Sequence, residues 1–406
     1  MKSLPTPDLR AAPQWTQDHL ADLFRDNCTP STRFRGGQVA ADNALARFDV
    51  SGYAQRRNEV WPVDRRGASG LSPWIRHGLL TLQRVWAHSA GSPARDVGKF
   101  RDELLWQEYA RHVYARLGDA NAQPLRGQPH TTADNAHPPW DRGMRCMALC
   151  VDELEADGWL VNQTRMWLAS QWSVRHGADW QAGERAMYRH LLDGSNAANR
   201  LGWQWTIGAG TRKRYGFSRW QVNKRAPGLC DGCAFSHRCP IEHWPATDQT
   251  SPAIEHPDPR IKRDPDLATT AGPDTPQISG SPDGVWITIE SMGDADPALA
   301  AHPDLPAVFV FDEPLLREWD WSAKRLIFVV ESLADLARRR PVEILRGDVV
   351  DGLRNRRLAA TFTPVPEWRR AADQLDLAAI YPWPWLRSPH ARSLQSFSAW
   401  RKALQD

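Results

Sequence analysis

A chain of 406 residues, 41% hydrophobic and 24% charged, carries enough apolar surface for two globular cores and is not a disordered tail. No apolar run approaches the roughly 20 residues that a membrane span requires, and the opening MKSLPTPDLR lacks a secretory hydrophobic segment; a cytoplasmic protein is expected. The net charge of +3 does not by itself argue for nucleic acid, but residues 206 to 244 hold seven Lys and Arg against two acids, and local patches outweigh totals.

In chain order, residues 1–30 carry Pro5, Pro7 and Pro13 with little periodicity and read as an arm with one short helix. From Phe34, the segment FRGGQVAADNALARFDVSGYAQRRN has apolar residues at helical spacing. ASGLSPWIRHG, Ala68 to Gly78, opens another helix, with Ser72 as N-cap and Pro73 in the first turn. Unpaired N–H groups at such a start favour phosphate. Lys99 to Arg116 reads as a helix on which Glu103 and Trp106, three apart, share one face. Residues 121–139 read as a Pro- and His-bearing loop, and from Asp141 a helix leads into the central stretch.

That stretch, from Gly158 to Trp205, combines aromatic, amide and charged residues at fixed spacing. Helices are expected from about Val161 to Val174 and from about Ala182 to Leu192, punctuated by Gly177 and Gly194. Next comes a polar turn, Asp193 to Asn199, and then Trp203-Gln204-Trp205; a turn this polar between aromatics faces a ligand or solvent. The chain holds 21 tryptophans, more than a core needs, so some are expected to serve stacking or electron transfer and most to serve packing.

Six cysteines are few for a disulfide framework, and Cys230, Cys233 and Cys239 are bunched. A C-x2-C loop lets two thiolates reach one metal centre, and a third follows after five residues. Zinc would complete its tetrahedron with His237 or His243, whereas a four-iron cluster would need a fourth thiolate. Cys28 and Cys150 read as ordinary buried cysteines.

Residues 247–284 hold seven prolines and seven acids and read as a poorly ordered linker. Beyond it, short apolar runs at 285–291, 307–312, 342–348, 359–365 and 377–383 read as buried strands, with a long helix from Ser322 to Arg340. Strands alternating with helices imply a parallel sheet. A final helix is expected from Leu394 to Leu404.

The central stretch resembles the DNA photolyase and cryptochrome family, whose FAD-binding helical domain has a pattern close to GW-x-x-N-x-x-RM-x-x-AS, DW-x-x-GE and LxDGxxAxNxxxWQW, all present between Gly158 and Trp205. The resemblance implies a multidomain α plus α/β protein: an all-helical FAD-binding domain at 31–246, following the arm at 1–30, and a smaller parallel-sheet, Rossmann-like domain at 285–390, following the linker at 247–284. A C-terminal helix occupies 391–406. Since the family's antenna domain ordinarily stands first, a circular permutation is implied, which two domains joined by an exposed linker tolerate.

Residue by residue, the resemblance implies FAD contacts at Tyr53 and Arg57, at Ser69, Leu71 and Ser72 for the diphosphate, at Arg165 and Asp193 beside the isoalloxazine, and at Asn199 facing flavin N5. Ala68, Gly70, Gln107 and Gln163 depart from the family's commoner residues. Glu103, Trp106, Asn162 and Trp205 match the lesion pocket, in which aromatic walls stack on a flipped base for roughly 1 to 3 kcal/mol per base. Trp180 and Trp203 match the inner members of a tryptophan relay whose outer member lies among Trp140, Trp172 and Trp220. Some bacterial members hold a four-iron, four-sulfur (4Fe-4S) cluster, for which Cys146, Cys230, Cys233 and Cys239 fit; zinc stays open. Ser291 to Asp296 replaces the family's arginine-rich segment, so an antenna chromophore is left undecided.

The leading expectation is a flavin-dependent, monomeric lyase that repairs pyrimidine dimers in UV-damaged DNA under blue light, with Arg212, Lys213, Arg214, Arg219, Lys224 and Arg225 on phosphates. The alternative is a cryptochrome-like photoreceptor whose flavin redox change is read by a signalling partner.

Overall fold

The computed structural model describes residues 1–129, 139–245 and 250–404. The chain divides into two compact units, one of 1–48, 71–88 and 265–391, the other of 49–70, 89–264 and 392–406. The parts of the expected loop, linker and final helix at 130–138, 247–249 and 405–406 lie outside the described residues. Among the described residues no helix is long and apolar enough to cross a membrane.

The first unit is built on one mixed sheet. Its strands are β1 (Lys2–Leu4), β2 (Gln277–Ile278), β3 (Gly284–Ile287), β4 (Ala307–Asp312), β5 (Val342–Gly347), β6 (Leu358–Thr361) and β7 (Leu377–Tyr381), in lateral order β1-β5-β4-β3-β6-β7-β2. The inner five pair in parallel and the two edge strands antiparallel. Among the inner five the chain steps outward from β3 to β5 and then returns to the other side of β3 with β6 and β7, the reversal of a doubly wound sheet. β3 and β6 are buried at every position and β4 at five of its six, so their sequences read as continuous apolar runs.

The expected boundaries differ from the structure at the start of the chain. The arm at 1–30 supplies β1, which pairs with β5 from Lys2↔Arg346 to Leu4↔Ile344, and a helix, Ala12–Leu20, that packs on the long helix Ala323–Ala337. That long helix is buried almost all round, including Glu331, Ser332 and Asp335. Its polar side chains find partners in the FRGGQ turn. Glu331 accepts from the Gly36 N–H at 2.6 Å, Ser332 Oγ from Gly37 at 3.0 Å and Asp335 from Gln38 at 2.8 Å. A Cβ on Gly36 would sit 2.6 Å from Ser332 Oγ, so the approach of these two segments depends on that glycine.

The expected poorly ordered linker is likewise corrected over its described part, 250–284, which contains short helices at Pro259–Ile261 and Leu267–Ala271 as well as β2. Aspartates supply the order that aliphatic periodicity does not. Asp258 and Asp266 cap the two helices, and buried Asp264 pairs with Arg116 at 3.2 Å.

The second unit is helical. Its longest helix, Ala94–Leu117, ends at Gly118 with φ +58°. Asp96 in its first turn accepts from the N–H groups of Gly52 and Ala54 and so fixes the short helix Tyr53–Arg56. The central stretch forms Asn162–Ala169, a widened turn Ser170–Arg175, Trp180–His190 and Ala198–Thr206. Asp179 caps the third of these through Gln181 N and Ala182 N, which gives the aspartate of the DW pair a structural role. The C-terminal helix Phe397–Ala403 packs on Ala94–Leu117.

Candidate functional site

Within the helical unit, Arg165 and Asp193 come together at 2.7 Å, with Arg165 Nε also donating to Leu160 O. The Asp193 side chain is 6% exposed, and its second oxygen, Oδ1, is buried without a hydrogen-bond partner. A buried carboxylate oxygen left so is costly unless something else donates to it.

Asn199 lies on the first turn of Ala198–Thr206, buried, and donates its Nδ2 to Glu184 Oε1 at 2.7 Å. The donor end is thereby committed and the carbonyl end is left to accept. Glu184 is itself buried, and burial first of all raises its pKa, against the opposing pull of Arg200 and Asn199. Trp203 is 2% exposed, with an indole N–H that is buried and unpartnered. Trp180 is buried at the first position of its helix. The Asp193 Oδ1 and the Trp203 indole N–H, an acceptor and a donor that are both buried and unpartnered, are chemically suited to the polar edge of a ring such as a flavin.

Other expected flavin contacts are placed differently. The Tyr53 ring packs edge-on against Phe100, and burial raises its pKa. Arg57 Nε stands 3.3 Å from Glu103 Oε1, and Lys99 reaches the same oxygen at 3.3 Å. Residues expected to serve flavin and lesion separately are therefore joined in one ion pair. Ser72 is the first residue of a five-residue helix and not its N-cap; Leu71 holds that position, without a side-chain cap bond, because Pro73 can occupy the first turn without an N–H. Leu71 and Ser72 group with the α/β unit and Ser69 with the helical one.

The expected lesion residues lie on helices that pack on one another: Ala94–Leu117 meets Ala198–Thr206, which meets Asn162–Ala169. Asn162 is exposed, as are Trp106 at 40% and Trp205 at 38%. One face of Trp106 is covered by Phe397, with ring centroids 4.0 Å apart and planes at 11°. Trp205 leans on Tyr215 at 5.4 Å, and the Tyr215 hydroxyl accepts from Gln163 and Gln221 at 2.7 and 2.5 Å. Gln204, between the two tryptophans of the WQW run, is buried and fixes the segment 121–125 by donating to Asn121 O and Gln123 O and accepting from Leu125 N.

Sequence reasoning missed Glu184, Tyr215 and Phe397. Glu184 had a signal, the glutamate of the DW-x-x-GE run; the other two had none.

Cys146 stands on the first turn of Arg145–Asp157, and Cys230, Cys233 and Cys239 on successive tight turns, in which Cys233 N donates to Cys230 O and Glu242 N to Cys239 O. Burial, and then the thiols of Cys230, Cys239 and Cys233, push the Cys146 thiol up to about 12. Among the described residues no three His, Cys, Asp or Glu close on a single metal ion. Of the basic residues, Arg219 pairs with Glu242 and Arg225 with Glu59, whereas Lys213 is exposed and Lys224 lies over the Trp220 ring.

The model of the FAD-binding domain of DNA photolyase matches residues 100–226. The chain is 30% identical over 199 residues to a deoxyribodipyrimidine photo-lyase of a Synechococcus species, covering 43% of this chain and 39% of that protein. It is also 30% identical over 185 residues to the enzyme so named from Thermus thermophilus, covering 43% of each. Among solved structures, a bacterial class III photolyase from Agrobacterium tumefaciens matches with 25% identity and a TM-score of 0.38, covering 50% of this chain and 41% of that one. The chain spans less than half the length of the relatives it matches.

Proposed function

The chain belongs to the DNA photolyase and cryptochrome family, and from that premise we propose that it repairs UV-induced pyrimidine dimers in DNA under blue light, as a deoxyribodipyrimidine photo-lyase. FAD, when bound, reduced and excited, would supply the electron that splits the dimer. Arg165 and Asp193 would hold the flavin ring, to which the Asp193 oxygen left without a partner could accept an N–H. Asn199, its amide nitrogen committed to Glu184, would have its carbonyl oxygen available to accept from a protonated ring nitrogen. The phosphate-end assignments of Ser69, Leu71 and Ser72, with Tyr53 and Arg57, stay with this reading on resemblance.

The observation that carries repair is that Trp106 and Trp205, 40% and 38% exposed, stand on helices that pack on each other; Trp220 and Trp244 of the same unit are exposed too, at 60% and 49%, but not on that pair of helices. Indoles left open offer stacking walls to an extruded base. Glu103 and Asn162 would orient the base edges, and Lys213 and Lys224 would meet phosphates. We also propose that Cys146, Cys230, Cys233 and Cys239 hold a 4Fe-4S cluster. Tetrahedral zinc at a Zn–S distance of about 2.3 Å draws its sulfurs onto one point, whereas a four-iron core keeps its thiolates further apart. Cys146 supplies the fourth thiol that a four-iron cluster needs beside Cys230, Cys233 and Cys239, the three thiols that act on its own. The inner five strands, β3 to β7, all follow residues 100–226 in the chain, which supports a permuted order of the family's two domains, although residues 1–48 belong to the sheet unit as well.

One observation favours the photoreceptor reading: groups expected to face a lesion already have partners, Phe397 on Trp106 and Arg57 with Lys99 on Glu103. The deciding experiment illuminates the reduced full-length protein with an oligonucleotide containing a cyclobutane dimer, and separately one containing a (6-4) product, against dark controls. Light-dependent restoration of intact bases is expected. A flavin-bearing protein that restores neither lesion would shift the reading to the photoreceptor.

A further inference from the structure

The reversal of the sheet lies between the paired strands β3 and β6, from which the chain winds outward in opposite directions. In doubly wound sheets the crevice beyond the carboxyl ends of two such strands receives the ligand, and an anionic group there is held by the N-terminus of the helix that follows the first strand. In this chain that helix is Pro297–Ala301, and its N-terminus is already taken. Asp296 accepts from the N–H groups of Ala298 and Leu299, both at 3.1 Å. The side chain that does so belongs to a residue only 6% exposed, so the carboxylate lies inside the fold, in the place of a ligand's anion.

The two strand ends are also joined across the crevice. Ala298 N donates to Thr361 Oγ1 at 3.0 Å, which ties the last residue of β6 to the segment that follows β3. Both residues are buried. The loop between β3 and the helix commits its polar groups to itself and to residues 76–79 of the same unit. Thr288 N donates to Ser291 Oγ at 2.9 Å, Met292 N donates to His77 O at 3.1 Å, and Glu290 forms an ion pair with Arg76 in which both side chains are buried. A Cβ on Gly293 would lie 2.9 Å from Gly78 C and from Leu79 Cα. The two backbones therefore touch, and no side chain fits between them.

We propose that the switch-point crevice of the sheet unit takes no small-molecule ligand, because Asp296 stands in place of a bound anion while Thr361 and residues 76–79 hold the surrounding loop closed. Charge adds to the steric block. Burial pushes the Asp296 carboxyl up to about 6, against the pull of the Leu299 N–H, Thr361 and the Ala298 N–H. At neutral pH it is still largely ionised and repels an incoming phosphate or carboxylate. A second chromophore, for which a sheet of this winding offers the usual place, finds that place filled by the chain itself. The inference rests on the sheet unit alone and is independent of whether the helical unit repairs DNA.

The test is hydrogen exchange of the full-length protein, read by mass spectrometry, alone and with millimolar FAD, ADP, a reduced folate or a deazaflavin. In a closed crevice the amides of Met292, Ala298 and Leu299 exchange as slowly as those of β3 and β6, through global unfolding alone, and no probe changes their rates by as much as twofold. The Asp296→Ala, Thr361→Val double variant, which removes both acceptors of the Ala298 N–H, is expected to speed exchange at residues 298–299 at least tenfold while β4 stays protected. Protection of residues 288–299 or 361–363 by any probe in the wild type would overturn the proposal. So would exchange of these amides far faster than the strands before a probe is added. One equivalent of probe bound with no change at these residues would uphold it and assign that probe to another site. The wild-type measurements decide the matter even where the double variant does not fold.

Discussion

Asn199 donates its side-chain amide to Glu184 Oε1 at 2.7 Å, and this one bond fixes which end of the amide is left to accept. Replacing the amide by a carboxylate sets two buried acids against each other. Asn199→Asp should destabilise the protein by about 2 to 4 kcal/mol near neutral pH. Repulsion raises the folded-state pKa of the pair, so the loss should shrink as pH falls towards the ordinary carboxylate range and grow as pH rises through the raised value. Urea unfolding at pH 5 and pH 8 checks this; an equal loss at both would refute it.

Trp106 has one face against Phe397, meets Tyr109 edge-on at 5.9 Å and is 40% exposed. A base stacking on the open face should be backed by Phe397 and not displace it. Trp106→Ala is then expected to weaken binding of dimer-containing DNA by roughly 5- to 150-fold, the scale of about 1 to 3 kcal/mol per stacked base. Phe397→Ala should weaken it by less than threefold and cost about 1 kcal/mol of stability. Tighter binding by Phe397→Ala, in a competition assay with undamaged DNA, would mean that Phe397 occupies the place of the base.

Cys146 and Cys150 stand one turn apart on the same helix, both buried. The assignment of Cys146 as a ligand separates them. Anaerobically purified protein should hold four irons per chain; Cys146→Ser should lose most of them and Cys150→Ser few. Stoichiometric zinc in place of iron, by elemental analysis, would replace the cluster with the smaller ion.

Burial pushes the Glu331 carboxyl up to about 7, against the pull of the Gly36 N–H and Arg35. Its folded-state pKa lies above the unfolded one, so the associated stability is complete below about pH 4.5 and is lost as pH rises through 7. Glu331→Gln lacks this loss while keeping an oxygen for the Gly36 N–H. The variant should gain on the wild type between pH 5 and 8, by on the order of 3 kcal/mol. Chemical unfolding across that range would show a constant difference if Glu331 does not titrate there.

The inner strands were legible because burial on both faces leaves continuous apolar runs, and every expected inner strand is present within a few residues of its bounds. The central helices were legible from their three- and four-residue spacing. Other features had no local signal. The fate of residues 1–48 depends on partners such as Arg346 and Asp335, more than 290 residues away. The widened turn at Trp172 reads in sequence as plain helix, and Asp264 in the expected linker is ordered by Arg116. Within the site, Arg165 with Asp193 could be anticipated from a motif, whereas Arg57 with Glu103 could not, because their segments were assigned to different tasks.

The hydrogen bonds from Gly36, Gly37 and Gln38 to the helix Ala323–Ala337, like the pairing of Lys2 with Arg346, close a loop of about three hundred residues. At roughly 5 to 20 residues per second of synthesis, the first segments wait about 15 to 60 s for their partners to leave the ribosome. The sheet can take its final form only after most of the helical unit has emerged. Closing so long a loop makes this sheet a late and slow event in folding, and its unfinished edge at β5 is then the surface most in need of protection from pairing with another chain.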